Sequence, residues 1–398
     1  MKNYFLVGTL CALTCTPVFA DEGKSLAQEL VQEYLIVDGH VDVPYRLEQG
    51  EEDVGLSTDK GDFDYPRAKA GGLNAPFMSI YVPAEKEDQG VAKSYADTLI
   101  DKVEAMVKQH PDKFAIPKSI NDLQKQVDAG LISLPLGIEN GAPIEGDLAN
   151  LKYFSDRGVR YITLAHSKSN HISDSSYDKN RPWEGLSAFG KRLVREMNRM
   201  GVMIDISHVS DAAFWQVVDL SAVPVIASHS SARHFTPGFE RNMNDEMINA
   251  LADNGGIIMV NFGSTFISGE SLNSYREITD QVEKFAKKKD LPKDSKEVEE
   301  YSDKLSTEKF IFADLEDVLD HFDHIRDLVG VDHIGIGSDF DGVGDSLPVG
   351  LKDVSQYPNL VEGLLKRGYS KQDIKKILGG NLVRVWQANE DYAKRNKG

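Results

Sequence analysis

The sequence predicts a single (β/α)8 barrel, on three observations. Short apolar runs alternate with stretches of helical spacing along most of the chain, the pattern of a parallel sheet buried among helices. Eight such runs can be counted, the number that closes a barrel of this type. Most of them end in a histidine or a carboxylate, at the end of the strand where barrel enzymes keep their chemistry. A length of 398 residues suits one such barrel with a sizeable core.

Residues 1–20 stand apart from this pattern. Lys2, the mostly apolar Tyr4–Leu13 and the small-x-small site Val18-Phe19-Ala20 read as a secretory signal peptide removed after Ala20, which leaves 21–398 as one domain. The apolar run is too short to span a bilayer. Cys11 and Cys15, the two cysteines of the chain, both fall inside it. The mature protein then has no thiol chemistry and no disulfide, and any zinc must be held by His, Asp and Glu. Export without disulfides fits a bacterial periplasm. The charged Asp391–Gly398 carries no C-terminal anchor signal. The net charge of −18, or −19 once the segment carrying Lys2 is removed, argues against nucleic acid or anionic lipid as a partner.

Taken in order, Ser25–Tyr34 reads as a short helix. Leu35–Val37 is the first strand and enters Asp38-Gly39-His40-Val41-Asp42. Period-two alternation puts His40 and Asp42 on one side, an imidazole and a carboxylate suited to a metal. Tyr65–Gly72 reads as a connection and Pro76–Val82 as the second strand. Gln89–His110 and Ser119–Ala129 have helical spacing, the second opened by a capping residue. Leu131–Ile138 is the third strand and ends at Glu139-Asn140-Gly141. After a helix at Leu148–Asp156, the fourth strand, Val159–Leu164, ends at His166. The polar loop Ser169–Gly185 is long enough to wall a site, and Ala188–Met200 is helical.

The fifth and sixth strands, Val202–Ile206 and Val223–Ala227, flank a helix at Asp211–Leu220. Each ends in a Ser-His pair, Ser207-His208 and Ser228-His229. One histidine at a strand end is most simply a hydrogen-bonding group. Two at the same place in consecutive units favour a metal site. A polar loop, Ser230–Asn244, carries Arg233, His234 and Arg241. It leads to a helix at Asp245–Asp253 and the seventh strand, Gly256–Phe262. Ser264–Leu305 breaks the rhythm: it is charged, contains Lys287-Lys288-Lys289, and reads as mostly solvated helices inserted after the seventh strand. Leu315–Val329 is a helix whose His321 and His324, far from any strand end, read as surface or capping residues. His333–Asp339 is the eighth strand, and helices at Asn359–Arg367, Lys371–Leu378 and Asn381–Tyr392 close the chain.

His40, Asp42, Glu139, His166, His208, His229 and Asp339 thus converge on one rim. Four imidazoles and three carboxylates exceed what one tetrahedral ion needs. They point to two metals, a bridging carboxylate, and one or two groups left for proton transfer.

The stretches VDGHVDVP, GIENG, YITLAHS, IDISHVS, PVIASHSSAR, GIGSDFDGV and GLKDVSQYPNL resemble the membrane (renal) dipeptidase family of zinc peptidases, over nearly the whole mature chain. NLVRVW and GLKDVSQYPNL match without an evident catalytic role, so the likeness extends beyond metal motifs. The resemblance implies a barrel fold and two zinc ions per chain, one on His40 and Asp42, the other on His208 and His229, with Glu139 bridging. It implies a metal-bridging hydroxide that attacks the peptide bond of a small dipeptide, including those with a C-terminal D-residue. Asp339 is then the general acid/base, His166 the oxyanion stabiliser, and Arg241 the partner of the substrate carboxylate. A homodimer is expected on the same ground. Two departures stand out. The loop ARHFTPGFERN is about one residue longer than in the animal enzymes, which makes Arg233 a rival to Arg241. Asn140 stands where those enzymes often carry glycine, a change expected to affect pocket width. The disulfide and lipid anchor of the animal enzymes do not transfer. The rival readings are another binuclear amidohydrolase, acting on a cyclic amide or ester, and a binding protein that has lost catalysis. The second is disfavoured because every expected ligand and Asp339 are present.

Overall fold

The computed structural model describes residues 25–396. Eight parallel strands close into a barrel: β1 Ile36–Val41, β2 Leu73–Tyr81, β3 Leu136–Glu139, β4 Val159–Thr163, β5 Met203–Asp205, β6 Ile226–Ser230, β7 Ile257–Val260 and β8 Ile334–Ile336. Each pairs with the next in chain order, and β8 returns to β1. The strands are buried on both faces because helices pack outside while the interior is filled by side chains.

Inside, Val37, Phe77, Tyr161, Met203, Ile257 and Met259 form a cluster with Trp386 from the last helix, Asn381–Arg395. The Phe77 ring lies 5.1 Å from Tyr161 and 5.5 Å from Trp386. Tyr161 can lie flat across β3 only because residue 137 is glycine: a Cβ there would fall 2.0 Å from its ring. This packing fills the barrel below the rim and leaves the carboxyl ends of the strands to polar groups.

The helices follow their caps. Ser187 accepts from Gly190 N–H at 2.9 Å and starts Ala188–Met200, which ends at Gly201 with φ 72°. Ser210 starts Asp211–Leu220 in the same way.

The structure departs from expectation in three places. The third apolar run is divided by Pro135. Ile132–Ser133 pairs with Phe114–Ala115 in a small separate sheet, and only Leu136–Glu139 joins the barrel. Tyr65–Gly71 is a helix, not a connection. Asp64 caps it by accepting from Arg67 N–H at 2.8 Å, and Pro66 sits in its first turn. The insertion forms a helical hairpin, Gly269–Lys289 and Lys296–Lys309, with Phe285 stacked on Tyr301 at 4.1 Å. Its outer part is solvated, but Phe266, Leu272 and Tyr275 near its base wall the central cavity.

The segment read as a signal peptide, 1–20, lies outside the described residues. Among the described residues no helix is long and apolar enough to cross a membrane.

Candidate metal centre

The seven strand-end groups meet at the carboxyl rim, and all but the fully buried His40 line the floor of a cavity of about 710 Å³. Glu139, at the end of β3, lies at their centre. Its Oε2 is 3.4 Å from His40 Nε2, and its Oε1 is 3.0, 3.3 and 3.3 Å from Nε2 of His208, His229 and His166. The two oxygens of one carboxylate thus serve two different groups. Burial works against the Glu139 charge, but the cationic forms of His166 and His40 and the imidazole hydrogen bonds hold it well below the usual carboxylate range.

His40 and Asp42 leave β1 with Nε2 and Oδ2 3.2 Å apart. The Tyr161 hydroxyl donates to the Gly39 carbonyl at 3.1 Å and so accepts from His40 Nδ1 at 2.9 Å. That orients the ring and turns Nε2 toward the two carboxylates, where it has no hydrogen-bond partner. Burial disfavours a charged ring here. Tyr161, Asp42 and Glu139 outweigh it and raise the His40 pKa well above its ordinary value. A cation between these groups would take the place of that proton.

His208 and His229 end the fifth and sixth units. Their Nε2 atoms approach to 2.8 Å. His229 is oriented by a relay: its Nδ1 meets Ser228 Oγ at 2.7 Å, and that hydroxyl donates to Asp205 Oδ2 at 2.7 Å. Burial, followed by nearby positive charge, depresses the pKa of both rings, chiefly Arg241 for His208 and His40 for His229. Neutral imidazoles are what a metal requires. Three of the residues that shape this rim, Asn140, His208 and Asp339, have φ of 77°, 67° and 64°, a region disfavoured for side chains other than Asn and Asp.

Asp339 follows β8. Its Oδ2 accepts from Asn261 Nδ2 at 2.7 Å and its N–H bonds the His40 carbonyl at 3.0 Å. Burial pushes its carboxyl up to about 7. Gly342 leaves room for it: a Cβ there would sit 2.3 Å from both Asp339 Oδ1 and Asp42 Oδ2. His166 stands over the other side, its ring 4.1 Å from His208 and 4.7 Å from Tyr81.

The two arginines part company. Arg241 is buried beside the centre, its guanidinium 3.1 Å from His208 Nε2 and 2.6 Å from the His229 carbonyl, with the Phe266 ring against it. Arg233 is committed to Asp211 through two hydrogen bonds of 2.8 and 2.6 Å. Asn140 does not line the cavity. Its side chain turns back to the Val82 carbonyl and to Asn170, and its φ of 77° is one that asparagine tolerates better than most side chains. His321 is buried rather than superficial: it accepts from Ala232 N–H at 3.0 Å and faces the Ile267 carbonyl at 2.9 Å.

Sequence reasoning missed Tyr161, Asp205 and Asn261, and named Ser228 without giving it a role. Asp205 had a usable signal, a carboxylate inside an otherwise apolar strand, which is costly unless it has partners. It accepts from Ser207 N–H and Ser228 N–H at 3.1 and 2.8 Å.

The donor set fits a divalent cation. Imidazole nitrogens and carboxylate oxygens converge without cysteine, and the buried Nε2 of His40 is left for a ligand. A parallel barrel with such a rim has the form of a metal-dependent enzyme with its chemistry at the strand ends. The sequence profile of the membrane dipeptidase family, peptidase family M19, matches residues 24–398, and the chain belongs to that family. Dipeptidase 3 of Mus musculus is 32% identical over 386 residues, spanning 94% of this chain and 68% of that protein. Among solved structures, the probable dipeptidase PvdM from Pseudomonas aeruginosa superposes with a TM-score of 0.79 at 29% identity, covering 92% of this chain and 98% of that one. A second, dipeptidase AC, described as a metallo peptidase, gives 0.73 at 25% identity over 89% and 98% of the two chains.

Proposed function

We propose that this protein is a dizinc dipeptidase acting on small dipeptides, including those with a C-terminal D-residue, exported to a bacterial periplasm behind a leader at 1–20. The observation that carries the reading is the double-faced Glu139, with His40 and Asp42 on one side and His208 and His229 on the other. His40 and Asp42 would hold one zinc, His208 and His229 the second, and Glu139 both. Zinc held there would lower the pKa of a water and polarise a carbonyl oxygen.

The protein's own groups do the rest. Asp339, fixed by Asn261, accepts the proton of the attacking water and returns it to the leaving amine. His166 faces the cavity opposite and donates to the developing oxyanion. Arg241 pairs with the α-carboxylate of the dipeptide, whereas Arg233 is engaged by Asp211. Tyr45, Tyr81, Tyr177 and Phe239 line the cavity above and exclude water from the short substrate. Turnover of a panel of L,L and L,D dipeptides by zinc-loaded protein, lost on chelation and restored by zinc, is the expected result. An intact, zinc-replete protein that cleaves none of them would overturn the reading.

A further inference from the structure

A second cluster of metal-ligating side chains lies outside the barrel rim. His234 sits in the short turn Arg233–Phe235, Asp245 opens the helix Asp245–Asp253, and His324 lies on the helix Leu315–Val329. One ligand atom from each falls within 4.8 Å of the others. His324 Nε2 is 2.8 Å from Asp245 Oδ1, and the His234 ring stacks on that of His324 at 4.4 Å with 25° between planes. His40 and His229 in the central site stack in nearly the same way, at 3.8 Å and 26°.

The backbone that carries these groups is fixed independently. One turn before His324, the buried His321 takes the Ala232 N–H and faces the Ile267 carbonyl, and burial depresses its pKa to about 4. A neutral His321 thus ties the start of the 230–244 loop to the helix that bears His324. Residues 232 and 243 bridge across the loop, which brings His234 and Asp245, at its two ends, together. Arg241 lies between those ends.

From this geometry we infer a peripheral site for a divalent transition cation, zinc in the first instance, on His234, Asp245 and His324. Two imidazoles and a carboxylate form a ligand set that borderline cations favour, and water completes the coordination of an exposed site. Such an ion clamps the two ends of the loop that holds Arg241 to the outer helix.

The test compares zinc content and thermal stability of the full protein with those of the His234→Ala, His324→Ala double variant, across a zinc titration that starts from chelator-free, zinc-loaded samples. Whatever the barrel centre holds cancels in the difference. The expected result is about one more zinc per chain in the wild type, with a rise in Tm at high zinc that the variant lacks. Asp245→Asn, which keeps the helix start, should weaken the same uptake and guards against a misfolded double variant. Equal zinc content and equal Tm shifts in all three proteins would overturn the site, whether or not the centre cleaves dipeptides.

Discussion

At the scale of the residue, Arg241 and Asp339 carry the most exposed claims. Arg241 is buried next to His208, where a guanidinium can meet a carboxylate through paired hydrogen bonds. Arg241→Ala should lower kcat/KM for free dipeptides by roughly 10- to 100-fold, the cost of a charge-assisted hydrogen bond. It should cost much less for a neutral amide, and Arg233→Ala should affect both alike through the loop. Steady-state kinetics on matched substrates separates these outcomes, and equal losses would favour a cyclic or neutral substrate. Asp339 must be ionised to accept a proton. Burial raises its pKa to about 7 in the metal-free protein; cations at the rim would lower it, so kcat/KM should fall as the pH drops through the lowered value. Asp339→Asn should remove this limb together with about 10²- to 10⁴-fold of the rate. A pH–rate profile checks both.

At the scale of the element, the barrel strands and their end groups were legible because period and position coincide: an apolar run followed at once by His40, His208 or His229 leaves little choice of place. Glu139 was legible as a strand-end carboxylate, its bridging place was implied by the family resemblance, and the distances from its two oxygens to His40 and to His208 and His229 agree with that. Tyr161 was hidden because a tyrosine in an apolar strand reads as core, which for its ring it is. The split at Pro135 was missed because the run Leu131–Ile138 is apolar on both sides of it. The insertion was read as solvated from its charge, and charge conceals the few residues near its base that face inward. Arg276, beside Tyr275, lines the cavity with no carboxylate partner among the described residues. Arg276→Glu should therefore lower kcat/KM for a dipeptide ending in Asp relative to one ending in Lys, by about tenfold given solvent screening. Competition between the two substrates reads that ratio, and an unchanged ratio would remove the hairpin from substrate selection.

At the scale of the whole molecule, gathering carboxylates at one rim has a cost for stability. Beside the centre, burial and the neighbouring Asp341 push the Asp62 carboxyl up to about 7. A carboxyl whose pKa is raised by folding holds its proton more tightly in the folded state. Stability therefore falls as pH climbs from about 4, and the deficit is complete above about 7. Asp62→Asn keeps the acceptor for the Asp341 N–H, now met at 2.8 Å, and removes the charge. Tm should rise by a few degrees at about pH 8 and stay unchanged near pH 4. A rise of equal size at both pH values would point to packing instead.

The catalytic roles proposed for the rim rest on two cations sharing Glu139. Anomalous diffraction at the zinc edge from crystals of the zinc-loaded protein tests this most directly. Two peaks are predicted at the rim, one against His40 and Asp42 and the other against His208 and His229, with a Glu139 oxygen on each and His166 on neither. A single rim peak, or one bound through His166 or Asp339 in place of Glu139, would contradict the account.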